Sequence, residues 1–244
     1  MPDRPRNIGA SVRQRLLNLA HVRDQPMELL LTRYALERLL HRLSLSPHCE
    51  QFVLKGAMLL ATWFDEPHRA TRDVDLLGFG DPADEALLAT FREVMAIDVD
   101  DGVSFDLKGL RIEAIRQEVE YGGSRLRTTA ALAGAHIPIT VDIGFGDAVE
   151  PGIEDIDLPV LLDMPSPHLR AYPPETVIAE KFHAMVALGM ANSRMKDYYD
   201  VWMLTSAFEL EPSTLAARHR GNLCPPQHVD TGGDSGRAQR RFFG

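Results

Sequence analysis

Apolar residues in the first hundred positions recur mostly at helical spacing, with two short continuous apolar runs between them. Helical spacing predicts helices over residues 8–21, 24–43, 57–64 and 84–95. The continuous apolar runs predict buried strands over residues 52–54 and 74–79. Pro26 suits the first turn of the second helix, because proline lacks the N–H that is unpaired there.

From about residue 110 the apolar residues alternate with polar ones instead. This alternation predicts strands over residues 111–121, 125–133 and 137–145, joined by glycine-containing turns. A proline-rich stretch, 151–174, reads as a linker, and helical spacing returns at 175–190 and 197–208. The pattern therefore predicts an α+β protein with a helical N-terminal cap, an α/β core and a helical C-terminal region. We expect domain limits of 1–150 and 151–217, with residues 218–244 as a disordered tail.

Composition is that of a soluble globular protein, with 45% hydrophobic and 25% charged residues. No apolar run approaches the roughly 20 residues of a membrane span, and residues 1–10 lack the apolar centre of a secretion signal. Two cysteines far apart provide neither a disulfide framework nor a cysteine zinc site, which favours the cytoplasm.

A net charge of −9 argues against a general nucleic-acid coat protein, yet it does not exclude a nucleic-acid substrate. Arginines are concentrated in the first 50 residues and again at Arg111, Arg116, Arg125 and Arg127. These two groups are candidates for contacts with the phosphates of such a substrate.

Asp73 and Asp75 carry the most specific chemistry in the sequence. On a strand they lie on one face, because side chains alternate, while Val74 and Leu76 point into the core. Two like charges on one face repel, and a hard cation such as Mg²⁺ relieves that repulsion while leaving positions for phosphate oxygens. Strand ends also carry acids simply because they meet solvent, so the pair alone is weak.

A Lys55-Gly56 turn follows the first short strand and precedes the predicted helix 57–64. Backbone N–H groups at a helix start suit a phosphate, and glycine permits close approach. Lys55 then has two interpretations, as a phosphate contact or as a solvated turn residue.

Asp142 interrupts an apolar strand, where an unpaired charge costs several kcal/mol. One interpretation makes it the third carboxylate of a metal site with Asp73 and Asp75, as two-metal displacement requires. The other pairs it with a nearby arginine, and the sequence does not separate the two. Asp147 fits a turn.

Lys181 has apolar neighbours on its predicted helix, and Asp197 and Asp200 lie on neighbouring faces of the next one. Asp197 also fits an ordinary acid in a first helical turn. His183 is assigned no role.

Several of these segments, in this order, resemble the motifs of the AbiEii/MenT nucleotidyltransferase toxins. They are FVLKGAMLL at 52–60, RATRDVD at 69–75, EYGG at 120–123, VDIGFGD at 141–147, YPPE at 172–175 with AEK at 179–181, and KDYYD at 196–200. The resemblance extends over roughly residues 10–210, and the ordered set is far more specific than any one motif.

The resemblance implies a polymerase-β-like nucleotidyltransferase core, with a mixed sheet flanked by helices. It also implies NTP as cosubstrate, Mg²⁺ or Mn²⁺ as cofactor, a cognate antitoxin, and the 3′ end of tRNA as acceptor. Carried over by motif, Asp73 and Asp75 bind metal, Asp142 is the third strand carboxylate, and Thr71 lies near the triphosphate. Lys181 binds nucleotide phosphates and Asp197 supports catalysis.

Two departures from the family pattern stand out. Ala57 follows Gly56 where relatives often have Gly or Ser, so the turn relies on backbone N–H groups. Beyond about Ala217 the chain becomes rich in Gly and Pro where relatives continue helical. The sequence favours a cytoplasmic nucleotidyltransferase toxin. The alternatives are a catalytically idle partner-binding relative and an enzyme that modifies a protein or small molecule.

Overall fold

The computed structural model of the protein describes residues 7–64, 71–115, 123–146, 152–189 and 192–210. Within these ranges an eight-stranded mixed sheet is flanked by helices, which confirms the α+β class.

The helices follow the predicted apolar periodicity. They are α1 (Ile8–Arg23), α2 (Met27–Leu45), α3 (Leu60–Trp63), α4 (Asp84–Ala96), α5 (Pro174–Leu188) and α6 (Met195–Ala207). Asn7 caps α1 by accepting the Ala10 N–H at 3.0 Å, and α1 ends where Asp24 turns left-handed at φ 49°. Pro173 and Pro174 start α5 without leaving an N–H unpaired.

The strands form one continuous sheet in the order β3-β5-β6-β2-β1-β8-β7, with β4 also pairing with β5. They are β1 (Phe52–Lys55), β2 (Val74–Gly78), β3 (Ser104–Phe105), β4 (Arg111–Ile115), β5 (Gly123–Leu132), β6 (Ala135–Phe145), β7 (Glu154–Asp157) and β8 (His168–Ala171). Strand β2 is antiparallel to β1 and parallel to β6, which places the three central strands side by side.

The two long strands show why one face of the sheet is core and the other is not. Leu126, Val141 and Ile143 are fully buried, and helices α1, α2 and α4 contact the sheet. The intervening residues, such as Arg127 and Thr140, stay partly exposed. The face that carries them is available to a ligand.

Several predicted elements differ from those observed. The segment predicted as a helix over 57–64 is a 3₁₀ turn, Gly56–Leu59, followed by the single turn of α3. The proline-rich segment predicted as a linker contains β7 and β8, and β8 pairs with β1 in the central sheet. Short strands between prolines show no alternation, which explains the error.

Three predictions lie partly outside the described residues. The strand predicted over 111–121 is described only as far as Ile115, and the tail at 218–244 and Asp147 are not described. The limits at 150 and 217 stay predictions, although β7 and β8 belong to the same sheet as the strands before them. Among the described helices, none combines the length and hydropathy needed to cross a membrane.

Candidate active site

A row of charged residues crosses the middle of the sheet. Lys55 on β1 is opposite Asp75 on β2, Asp75 is opposite Asp142 on β6, and Asp142 is opposite Arg125 on β5. Glu113 on β4 continues the row beyond Arg125. Residues directly opposite each other share a face, so the row places these side chains together on the partly open face.

Asp73 lies just before β2 and brings a second carboxylate to Asp75. After burial, the charge of Asp73 is the largest influence on the pKa of Asp75, as expected for two acids that are only two residues apart in the chain. Thr71 Oγ1 donates a hydrogen bond to Asp73 Oδ1 at 3.2 Å. The structure thus brings Thr71, Asp73 and Asp75 together, as the sequence predicts.

The surroundings of Asp75 disfavour its ionised form. Burial, and then the neighbouring charge of Asp73, raise the pKa of Asp75 from 3.8 to about 7. Lys55 acts in the opposite direction, while Glu180 and Asp142 add to the rise. A cation that binds beside Asp75 would therefore stabilise its ionised form.

Gly56 is packed against the carboxyl group of Asp75. Its φ is +73°, and a Cβ at this position would overlap Asp75 Oδ2. Glycine is therefore required here twice over, for the left-handed backbone and for the space that Asp75 occupies. The sequence predicted that Gly56 allows close approach, and the group observed to approach it is Asp75.

Lys55 connects the sheet to α5. Its Nζ donates to Glu180 Oε1 at 2.6 Å and lies 5.9 Å from the centre of the Tyr172 ring. Gly144 on β6 lies beside this amine, and a Cβ there would be 3.6 Å from Lys55 Nζ, which is an ordinary van der Waals distance. Glu180 has no predicted role from the sequence, where its only signal is its place beside Lys181.

Asp142 is held by Arg125 through both carboxylate oxygens. Arg125 Nε donates to Oδ1 at 2.7 Å, and Nη2 donates to Oδ2 at 2.6 Å. The arginine pairing that the sequence left open is therefore present in this structure. The metal-binding role of Asp142 stays a prediction.

Lys181 and Asp197 form a second cluster, between α5 and α6. Lys181 Nζ lies 3.1 Å from Asp197 Oδ1 and 2.9 Å from Asp200 Oδ2. Arg194 Nε lies 2.8 Å from the other oxygen of Asp197. All but Arg194 are buried, so this cluster fastens the two helices together. This cluster lies next to the row of charged residues on the sheet, because Lys181 directly follows Glu180, the partner of Lys55, on α5.

The carboxylates of Asp73 and Asp75 fit a hard divalent cation. Burial first, and then the charge of Asp73, raise the pKa of Asp75, and a bound cation would stabilise the ionised form that both effects disfavour. Among the described residues, no three His, Cys, Asp or Glu side chains are arranged to hold a metal by themselves. The remaining positions around a cation would then be filled by phosphate oxygens and water, which is the common arrangement for Mg²⁺.

Comparison with known proteins adds a family and a fold. A family model described as nucleotidyl transferase AbiEii toxin, type IV TA system, matches residues 38–224. The crystal structure of JHP933 from Helicobacter pylori has a TM-score of 0.52 at 18% identity, covering 79% of this chain and 73% of that one. A second H. pylori structure, described as a candidate nucleotidyltransferase, has a TM-score of 0.51 at 18% identity, covering 79% and 75%.

None of the curated proteins that were compared matches the chain. At 18% identity the two structural likenesses bear on the fold alone. They confirm the nucleotidyltransferase fold, with its mixed sheet flanked by helices.

Proposed function

The chain belongs to the AbiEii nucleotidyl transferase family of type IV toxin–antitoxin systems, and on this premise we propose that it transfers NMP from an NTP to the 3′ end of tRNA in a Mg²⁺-dependent reaction. Blocking that end stops translation. The observation that carries the proposal is the carboxylate pair Asp73 and Asp75, set beside Lys55 on a partly open sheet face.

Asp73 and Asp75 are the residues that would hold Mg²⁺ or Mn²⁺, with Asp142 as a third carboxylate beside them. When bound, the cation supplies charge neutralisation for the triphosphate and its leaving group. The transfer forms a bond from the RNA hydroxyl oxygen to the α-phosphorus and breaks the bond to pyrophosphate, and the hydroxyl proton is released. The protein contributes mainly positioning and electrostatic stabilisation.

Three groups around Asp75 are proposed to contact the nucleotide. The Lys55 amine would bind a phosphate, which requires it to exchange its 2.6 Å contact with Glu180. The backbone of Gly56 lies against the Asp75 carboxyl group, and the Thr71 hydroxyl donates a hydrogen bond to Asp73. Because these three groups lie together, they support binding of a triphosphate beside Asp73 and Asp75.

Lys181 is proposed to bind nucleotide phosphates and Asp197 to support catalysis. Both are supported by their place next to Glu180, the partner of Lys55. The buried pairing of Lys181 with Asp197 and Asp200 also fits a purely structural role. Lys181→Met separates these possibilities, because a structural role predicts a large loss of stability and a nucleotide-binding role predicts a loss of label transfer in a stable protein.

Arginines on the sheet face that carries the site support an RNA acceptor. Arg111, Arg125 and Arg127 lie on that face, because Arg111 is opposite Arg127 and Arg125 is opposite Asp142. Their side chains are 61%, 35% and 40% exposed. Arg111 and Arg127 pair only at 3.4 Å with the exposed Glu113, and such contacts are weak enough to yield to phosphate.

Of the arginines in the first 50 residues, those on α2 are less suited to contact RNA than the sequence suggested. Arg42 is buried and makes two bonds to Asp101, and Arg38 is fully buried. Arg33 bonds Glu37 at 2.6 Å. We therefore propose that RNA contacts come from the sheet face and not from α2. Arg116 lies outside the described residues.

Family membership also implies an antitoxin partner. We propose that the protein acts in the cytoplasm, where NTP and tRNA are available. An enzyme that modifies a protein or small molecule is the competing proposal, and it shares the same carboxylate pair.

The direct test is transfer of label from each of the four NTPs to total tRNA with Mg²⁺. We expect labelled tRNA with wild type and with Asp98→Asn, an exposed control, and none with Asp75→Ala. Label that reaches protein or a small molecule but never RNA would favour the competing enzyme. No transfer to any acceptor across all four NTPs would sink the proposal.

A further inference from the structure

Arg125 bonds both oxygens of Asp142, the residue directly opposite Asp75 on the neighbouring strand. The two bonds are 2.7 and 2.6 Å, which is the geometry of a bidentate charge-assisted pair. The side chains are 35% and 18% exposed, so this pair is better shielded from solvent than a pair at the protein surface.

The position of Asp142 means that its pairing with Arg125 affects metal binding beside Asp75. Asp142 and Asp75 are direct partners on parallel neighbouring strands, so their side chains leave the sheet on the same face. A cation beside Asp75 is therefore within the neighbourhood of Asp142. Each oxygen of Asp142 keeps a second lone pair, but the Arg125 charge already neutralises this carboxylate, so Asp142 attracts that cation less strongly.

The charges of Asp73 and Asp75 also influence the pKa of Arg125. The hydrogen bond with Asp142 and then the charges of Asp142, Asp73 and Asp75 raise the pKa of Arg125, and burial opposes them. Arg125 thus bonds Asp142 and lies within electrostatic range of the other two acids. Arg127, two residues along the same strand and on the same face, pairs with Glu113 instead.

We propose that Arg125 is a positioning residue that withholds Asp142 from the metal in the resting enzyme. A divalent cation must compete with Arg125 for Asp142, and the resting site presents two carboxylates instead of three. The inference rests on the proposed function for the identity of the metal site, but its effect is on metal binding and is measurable without any transfer reaction.

The test is titration of Mn²⁺ alone, followed by electron paramagnetic resonance of the free ion. Arg125→Met removes the charge and both bonds while keeping side-chain length. We expect it to tighten Mn²⁺ binding roughly threefold to tenfold, the range for releasing one partly shielded ion pair. Arg127→Met is the matched control and is expected to change Mn²⁺ affinity much less.

Asp142→Asn separates a specific effect from a general one. Removing any nearby positive charge strengthens cation binding somewhat, so the gain from Arg125→Met is measured again in an Asp142→Asn background. We expect most of the gain to disappear there. Arg125→Lys, which keeps the charge but not the paired bonds, is expected to fall between wild type and Arg125→Met, and it serves if Arg125→Met fails to fold.

Three results would overturn the inference. They are an equal gain in both backgrounds, a gain as large from Arg127→Met, or Mn²⁺ that binds neither wild type nor Arg125→Met. Failure of the proposed function has a different signature, because label transfer can be absent while the Mn²⁺ coupling between Arg125 and Asp142 is intact.

Discussion

Asp75 is expected to destabilise the metal-free protein at neutral and alkaline pH, so Asp75→Asn should stabilise it. The rise in the pKa of Asp75 from 3.8 to about 7 has a direct energetic meaning. In the unfolded chain Asp75 loses its proton near pH 3.8, whereas in the folded protein it keeps the proton until about pH 7. Stability therefore declines between these two pH values, and the loss is complete above the upper one.

The size of the loss follows from the same shift. At 1.36 kcal/mol per pKa unit, a rise from 3.8 to about 7 corresponds to about 4 kcal/mol. Residual contact of Asp75 with solvent reduces this figure, and a change of about 2 to 4 kcal/mol is expected. Asparagine has nearly the same shape as aspartate and carries no charge, so it removes the ionisation without opening a cavity.

The assay is urea denaturation from pH 4 to pH 8 with a chelator present. We expect Asp75→Asn to match wild type near pH 4 and to exceed it increasingly as the pH rises. Asp98→Asn, at an exposed position, is the control and should show no such divergence. An Asp75→Asn protein that is less stable than wild type at pH 8, or a difference that does not depend on pH, would refute the reasoning.

The remaining predictions concern the same site and its neighbour. Mg²⁺ should raise the free energy of unfolding of wild type but not of Asp75→Asn, as urea denaturation with and without Mg²⁺ will show, and equal effects would contradict a carboxylate site. Gly134→Ala should lose about 1 kcal/mol for its positive φ alone, whereas Gly56→Ala should lose more than that and should also lose label transfer, since its Cβ would overlap Asp75. Lys181→Met should cost about 3 to 5 kcal/mol by removing the buried cation that both Asp197 and Asp200 contact, whereas exposed Lys196→Met should change stability little. Lys181→Met that folds stably yet loses label transfer would instead favour the nucleotide-binding role.

Much of the fold could be predicted from the sequence because its long elements have clear periods. Helix α2 and strands β5 and β6 are close to their predicted limits, since ten or more residues of consistent spacing leave little ambiguity. Strands β7 and β8 have four residues each, and their pairing with the sheet depends on distant partners. A period cannot be recognised over so few residues.

The candidate site shows the same division between local and distant information. Asp73 and Asp75 could be found because both lie within one strand motif, and their proximity follows from alternation alone. The pairing of Arg125 with Asp142 depends on the register of β5 against β6, which a turn of uncertain length between the strands does not fix. Glu180 was missed because its partner Lys55 is 125 residues away.

The charges of the site indicate whether a metal ion, a triphosphate or their complex suits it best. Contacts and register connect two cations and four carboxylates, namely Lys55, Arg125, Asp73, Asp75, Asp142 and Glu180. When all are ionised they leave an excess of two negative charges, which one divalent cation balances. A triphosphate alone would add negative charge to this group, and a metal ion alone would have to displace Arg125 to gain a third carboxylate. A metal–triphosphate complex avoids both difficulties, because its cation meets the carboxylates while its phosphates give Lys55 and Arg125 new partners. The arrangement therefore favours binding of the complex over binding of either component first.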